Sequence, residues 1–265
     1  MPVPNGWPTT SELAARRRGY IYGLTMSNAA DAANDITVAA GETTDESFTD
    51  ILVLAAPITK QLDAAWAVGT NAGGINTGAE ANSTWYEVHL IKRVDTGVVD
   101  VMFTTTANRA TLPANYTLQR RIGWIRNDSG GSILAFTQVG DHITLTTQVN
   151  DASVTATASA AQITMTVPPN AIGRFRTTTI GNTSVNGGML VVFSEIVEGN
   201  VTPADTTGIG TIAYIDLVSS QAGHFDLRVN SSSQIEHDSA NSTGSPTFDI
   251  STYGWIDDRR RLASA

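Results

Sequence analysis

Apolar and polar positions alternate along this chain in short stretches, with the two-residue period of strands rather than the 3.6-residue period of helices. Residues 85–93 show it most clearly, placing Tyr86, Val88 and Leu90 on one face and Glu87 and His89 on the other. Asp95-Thr96-Gly97 then turns the chain into residues 98–103, where Val99, Val101 and Phe103 share a face. Two such runs joined by a glycine-containing loop predict a β-hairpin. Residues 20–24, 36–39 and 120–126 read as further strands. Residues 51–67 are ambiguous. Ile51, Leu52, Leu54, Ile58, Leu62 and Trp66 partly suit a helical spacing, but Pro57 breaks it. Beyond Asp151, strand-like runs recur at residues 162–167, 174–179, 189–196, 211–218, 225–229 and 247–250, between turn clusters such as Asn186-Gly187-Gly188 and Ser231-Ser232-Ser233. That rhythm predicts an antiparallel sandwich or jelly roll.

The start of the chain departs from this pattern. Thr9 stands three residues before Glu12, the spacing of a capping box, and predicts a short helix ending near Gly19. The chain therefore reads as mainly β in three parts. An N-terminal docking arm with a short helix covers residues 1–19, and a first β domain with its linker covers 20–150. A C-terminal domain covers 151–265, and both domains are expected to be antiparallel and of sandwich or jelly-roll type. Residues 130–150 either close the first domain or join the two.

Composition sharpens this. Hydrophobic residues make up 41% of the 265 and charged residues 15%, below the roughly 25% of an average soluble domain. Thr, Ser, Asn and Gly take the place of the missing charge, a mixture that suits pleated surfaces and turns. The net charge of -9 speaks against nucleic acid, which needs a basic footprint. With no cysteine, the chain has neither disulfides nor thiol chemistry. Met1 to Pro8 lacks the charged start and apolar stretch of a signal peptide. No apolar run reaches the roughly 18 residues of a membrane span, so no membrane insertion is expected.

Candidate chemistry is sparse. The four histidines, His89, His142, His224 and His237, show no HExxH pattern and no helical metal-site spacing. Glu236-His237-Asp238 is the one triplet with acid-base potential, although a polar loop makes such triplets freely. No nucleophile elbow appears, and the glycine-rich stretch 69–78 lacks the lysine of a phosphate cradle. Asp45/Glu46 and Asp257/Asp258 are adjacent, and neighbours on a strand point to opposite faces. No catalytic residue, cofactor or metal ligand is assigned. Arg16-Arg17-Arg18 and Arg259-Arg260-Arg261 are either solvated charge or docking points for an acidic partner. Trp7, Arg16, Arg17 and Arg18 together make the arm a docking candidate. Trp124, Tyr253 and Trp255 serve either as core packing or as surface and interface aromatics.

Longer strings carry a resemblance. Residues 34–41 (NDITVAAG), 62–74 (DAAWAVGTNAGG after Leu62) and 89–103 (LIKRVDTGVVDVMF after His89) are similar to a module of tail-fibre and other structural proteins of tailed phages and prophages. Leu112-Pro113-Ala114-Asn115-Tyr116, residues 120–123 and the closing Tyr253-Gly254-Trp255-Ile256-Asp257-Asp258-Arg259-Arg260 continue the likeness, with Arg260 where the family often has glycine. The resemblance implies a β-rich, non-enzymatic virion protein, commonly a homotrimer and without cofactor. Its expected partners are copies of itself, other virion proteins and a host surface glycan or protein. A tail fibre or spike anchored by residues 1–19 leads. A capsid decoration, cement or baseplate protein follows, and then a glycan depolymerase with carboxylates on separate strands or subunits.

Overall fold

The computed structural model describes residues 19–155, 160–180, 189–196, 222–241 and 247–259. They are mainly β, with a single 3-10 turn at Thr106–Asn108 as their helical content. The helix expected before Gly19 lies outside the described residues, as do Trp7, Arg16, Arg17 and Arg18 and the strand read at 211–218. The chain divides into two compact units: residues 1–141 with 257–265, and His142–Ile256. The boundary read at residue 150 falls inside the strand His142–Thr155, whose Thr- and Val-rich sequence carries the ladder through it.

The first unit contains β1 (Ile21–Gly23), β2 (Met26–Asn28), β3 (Asp35–Val38), β4 (Gly41–Thr44), β5 (Ile51–Leu54), β6 (Ile58–Ala65), β7 (Ala72–Ile75), β8 (Trp85–Lys92), β9 (Val99–Thr104), β10 (Leu118–Arg126) and β11 (Phe136–Val139). Seven form one sheet in the order β10-β8-β9-β7-β6-β3-β2, and β1-β4-β5 form another. The expected hairpin is β8–β9, with Gly97 in the left-handed region at φ 73°. The ambiguous stretch 51–67 is two strands separated by Pro57. Ile58, Lys60 and Leu62 are buried in alternation along β6, so the period is two and the helical spacing is coincidental.

One expectation is corrected here. The first domain is not purely antiparallel, because β7 pairs in parallel with both β6 and β9. The physical reason lies in the loop 66–71, which is compact enough to bring the chain back beside β6. Lys60 supports it by donating to the carbonyls of Ala67 and Gly69. Close packing then requires glycine. A Cβ on Gly73 would stand 2.0 Å from Ala65 O, and one on Gly74 2.5 Å from the Phe103 ring. The glycines of the 69–78 stretch thus let backbones and an aromatic ring approach one another.

The second unit contains β12 (His142–Thr155), β13 (Ala161–Thr164), β14 (Ile172–Ile180), β15 (Met189–Glu195), β16 (Ala222–Arg228), β17 (Gln234–Asn241) and β18 (Thr247–Ile256). Its strands lie side by side as β12-β18-β14-β16 and as β13-β17-β15, and the described pairings are antiparallel. The two layers share an aromatic core. Phe193 of β15 stacks on Phe225 of β16 at 4.7 Å and meets Phe248 of β18 edge-on at 5.7 Å. His237 of β17 packs on the same Phe248. After β18 the chain re-enters the first unit, where Asp257 N donates to Asp141 O at 2.9 Å.

Candidate functional site

The most concentrated polar chemistry in the first unit lies on the face of β8 that carries Glu87 and His89. In an alternating strand a polar face is expected to meet water; here both side chains are buried. Cross-strand register explains how. Glu87 stands opposite Thr104 of β9 and Trp124 of β10, and His89 opposite Met102 and Arg121. Directly opposed residues share a face, so the row collects a carboxylate, an imidazole and a guanidinium.

His89 Nε2 lies 2.7 Å from Glu87 Oε2. A carboxylate can only accept, so Nε2 carries the hydrogen. Thr106 Oγ1, beyond β9, donates to Glu87 Oε1 at 3.0 Å, and Arg109 Nε approaches Oε2 at 3.8 Å. Burial pushes the Glu87 carboxyl upward, but the His89 and Thr106 hydrogen bonds and the Arg121 charge outweigh it and hold it below the ordinary 4.5. Arg121 in turn forms a 2.7 Å ion pair with Asp257 and lies 3.9 Å from Asp258. Arg259 N donates to Asp257 Oδ1, the Arg259 guanidinium reaches Asp141 at 3.2 Å, and Arg120 Nη2 donates to Arg259 O. The returning segment is thereby clasped to β10 by a chain of charges.

A second cluster surrounds Lys60. Its ammonium lies 3.1 Å from Asp100 and 5.2 Å from the centroid of Trp66. Asp100 also accepts the Gly69 and Val101 amides, while Trp66 Nε1 donates to Val101 O. Burial lowers the Lys60 pKa and the Asp100 charge opposes that shift. Asp45 forms a third cluster. Its carboxylate accepts from Ser47 Oγ and from the Ser47, Thr49 and Asp50 amides, which overcome its burial and lower its pKa.

Chemically these clusters hold strands and loops together. A general base needs a route to a substrate proton, and the His89–Glu87 pair is 0% and 1% exposed at its side chains. Sequence reasoning passed over Lys60, Glu87, Asp100 and Arg121. The visible signal was a charge set among apolar neighbours, as in Val99-Asp100-Val101.

The sequence candidates fall elsewhere. Trp124 is 6% exposed and Trp255 1%, so the reading of these two as surface aromatics is corrected. Trp124 meets Trp85 edge-on at 6.3 Å, with the Arg121 guanidinium 5.2 Å from its ring. Only Tyr253 of the three stays half-buried, between Arg174 and His224 at 4.8 and 5.5 Å. Of the Glu236-His237-Asp238 triplet, His237 is buried against Phe248, which breaks up that acid-base candidate. Arg259, read as solvated or docking charge, is buried in the clasp. Among the described residues no group of three or more His, Asp or Glu could hold a metal ion, and no helix is long and apolar enough to cross a membrane.

The chain matches no protein-family model and no curated protein. Two solved structures are distantly similar to it. The infectious bursal disease virus VP2 subviral particle is 11% identical, over 90% of this chain and 70% of that one, with a TM-score of 0.26. The Gx strain of infectious bursal disease virus is 12% identical, over 88% and 70%, with a TM-score of 0.19. Superpositions this loose establish neither a shared fold nor a shared role.

Proposed function

We propose that this chain is a non-enzymatic structural component of a tailed-phage virion. In this reading it is a homotrimeric tail fibre or spike built from two β modules of sandwich or jelly-roll type. Residues 1–19 anchor it to other virion proteins, and the second unit meets a host surface glycan or protein. The observation that supports a structural role is the use made of its charged side chains. Lys60, Glu87, His89, Asp100, Arg121 and Asp257 are buried and engaged with one another or with backbone groups. The word phage rests on the resemblance of residues 34–41, 62–74, 89–103 and 253–260. Half-buried Tyr253, beside Arg174 and His224, is the aromatic best placed among the three candidates for an external contact.

The test is location. Labelled antibody on purified particles should mark the tail, and deletion of residues 1–19 should abolish incorporation. Label at capsid symmetry positions would replace the fibre with a decoration protein. Release of reducing ends from host polysaccharide, lost on replacing one carboxylate, would make it a depolymerase. A stable monomer by mass measurement would remove the trimer.

A further inference from the structure

The strands β12-β18-β14-β16 turn Phe175, Phe225 and Phe248 towards the core of the second unit, so their alternate residues form the opposite face. That face is basic at its centre. Arg176 of β14 stands opposite His224 of β16, and Arg174 opposite Asp226. Two half-buried arginines rooted about 7 Å apart therefore share the face with an exposed histidine. On the other side of β14 the register slips, because Arg174 pairs with Gly254 and Phe175 with Thr252. Tyr253 is the extra residue of that bulge, which aims its side chain at the same spot. The Arg174 guanidinium lies 4.8 Å from its ring, and His224 meets it edge-on at 5.5 Å. The ion pairs that join described residues all lie in the first unit, as with Arg121–Asp257 and Lys60–Asp100. Arg174 and Arg176 form none. Among the described residues the Arg176 side chain makes no hydrogen bond, and Arg174 reaches only Thr144 Oγ1 at 3.4 Å. Asp249, the other carboxylate on this face, accepts from Ser153 Oγ at 2.6 Å.

We infer that this face binds an acidic carbohydrate, one whose sugar rings carry carboxylate or sulfate groups. The inference rests on the reading of the second unit as the part that meets a host ligand, and it names the class of that ligand. Charge complementarity selects an anion. A guanidinium without a carboxylate partner offers a planar fork of donors that fits two oxygens of one carboxylate or sulfate. Tyr253 holds the Arg174 guanidinium against its ring, so less side-chain freedom is lost when the ligand arrives. The surface around the arginines then distinguishes a carbohydrate from a protein. Among the described residues every exposed large apolar side chain, from Tyr22 to Val139, belongs to the first unit. A protein partner would find here none of the apolar anchors that dominate interfaces. A chain of sugar rings needs hydrogen-bonding groups and an aromatic ring instead, which Thr144, His224 and Tyr253 supply. Nucleic acid, the other common polyanion, is disfavoured by the net charge of -9.

The experiment titrates the full chain with three probes in a calorimeter: an oligogalacturonate, a heparin oligosaccharide and neutral maltohexaose. At least one acidic probe should bind, more weakly as salt rises, and maltohexaose should not. Preference for oligogalacturonate would assign the carboxylate form of the ligand, and preference for heparin the sulfate form. Arg174→Gln and Arg176→Gln should each weaken binding about tenfold, the worth of one charge-assisted hydrogen bond, with the thermal unfolding of the second unit in place. Tyr253→Phe keeps the ring and should bind as the wild type does. Failure of both acidic probes to bind at millimolar concentration would overturn the inference, as would binding that neither arginine variant weakens or that maltohexaose matches. Particle labelling keeps this separate from the fibre reading. Label on the tail with neither acidic probe bound would overturn the inference alone, and a bound acidic probe with label on the capsid would overturn the fibre alone.

Discussion

The two units solve the problem of a β core in different ways. Every buried Asp, Glu, Lys and Arg among the described residues belongs to the first unit, Lys60, Glu87, Asp100 and Arg121 among them. In the second, the buried polar groups are hydroxyls and His237, and the centre is a stack of phenylalanines. An ion pair is satisfied in one geometry only, whereas an aromatic core accepts rearrangement at modest cost. The contrast teaches where each unit is brittle. The first depends on particular partners, the second on filled volume.

Breaking a partner in the first unit should have the largest effect. Asp100→Ala strands the Lys60 ammonium and leaves the Gly69 and Val101 amides without their acceptor. A loss of about 3–5 kcal/mol is expected, read by urea unfolding of the first unit. Lys60→Met combined with Asp100→Leu should recover part of it, and no recovery would show that the amide contacts dominate. Phe193→Ala should cost the second unit about 3–4 kcal/mol through the cavity left between Phe225 and Phe248. A much smaller loss would mean that the stack collapses around the gap.

Acid separates the units more gently. Burial depresses the His237 pKa below its usual 6.5, with Asp238 opposing. At this group the folded second unit therefore binds fewer protons than the unfolded chain, and the share of its stability linked to His237 should be full above about pH 6.5 and decline below it. Glu87 is depressed below 4.5 in the first unit, so its share should hold until the pH falls through that lower range. Replacing His237 with Gln should flatten the second unit's decline between pH 6.5 and 5 while leaving the first unit's acid limb in place. Parallel acid profiles for both units would remove the distinction.

Much of this fold was legible locally. The β8–β9 hairpin and the strand rhythm beyond residue 151 follow from alternation and turn residues close in sequence. The buried charges did not follow, because alternation distinguishes two faces without saying what covers the second. Glu87 reads as solvent-facing until Arg121 and Asp257 are brought to the same face, and the latter two are separated by 136 residues. Lys60 was hidden by a helical-looking spacing that the loop 66–71 resolves only in three dimensions. Trp124 and Trp255 show the converse, since an aromatic beside arginines reads equally well as surface or as core. Nothing local told Asp257 and Arg259 that they would close the clasp on β10.

That clasp has a consequence for how the chain tolerates change. The second unit leaves at Asp141 and returns at Asp257, and those two residues are hydrogen-bonded to each other. Its start and finish therefore share a single doorway, the arrangement that lets a whole domain be exchanged as a cassette. A chain with Asp141 joined to Asp257 by a short glycine linker should retain the first unit's urea midpoint. Failure of that chain to fold would show that the passenger supports its host.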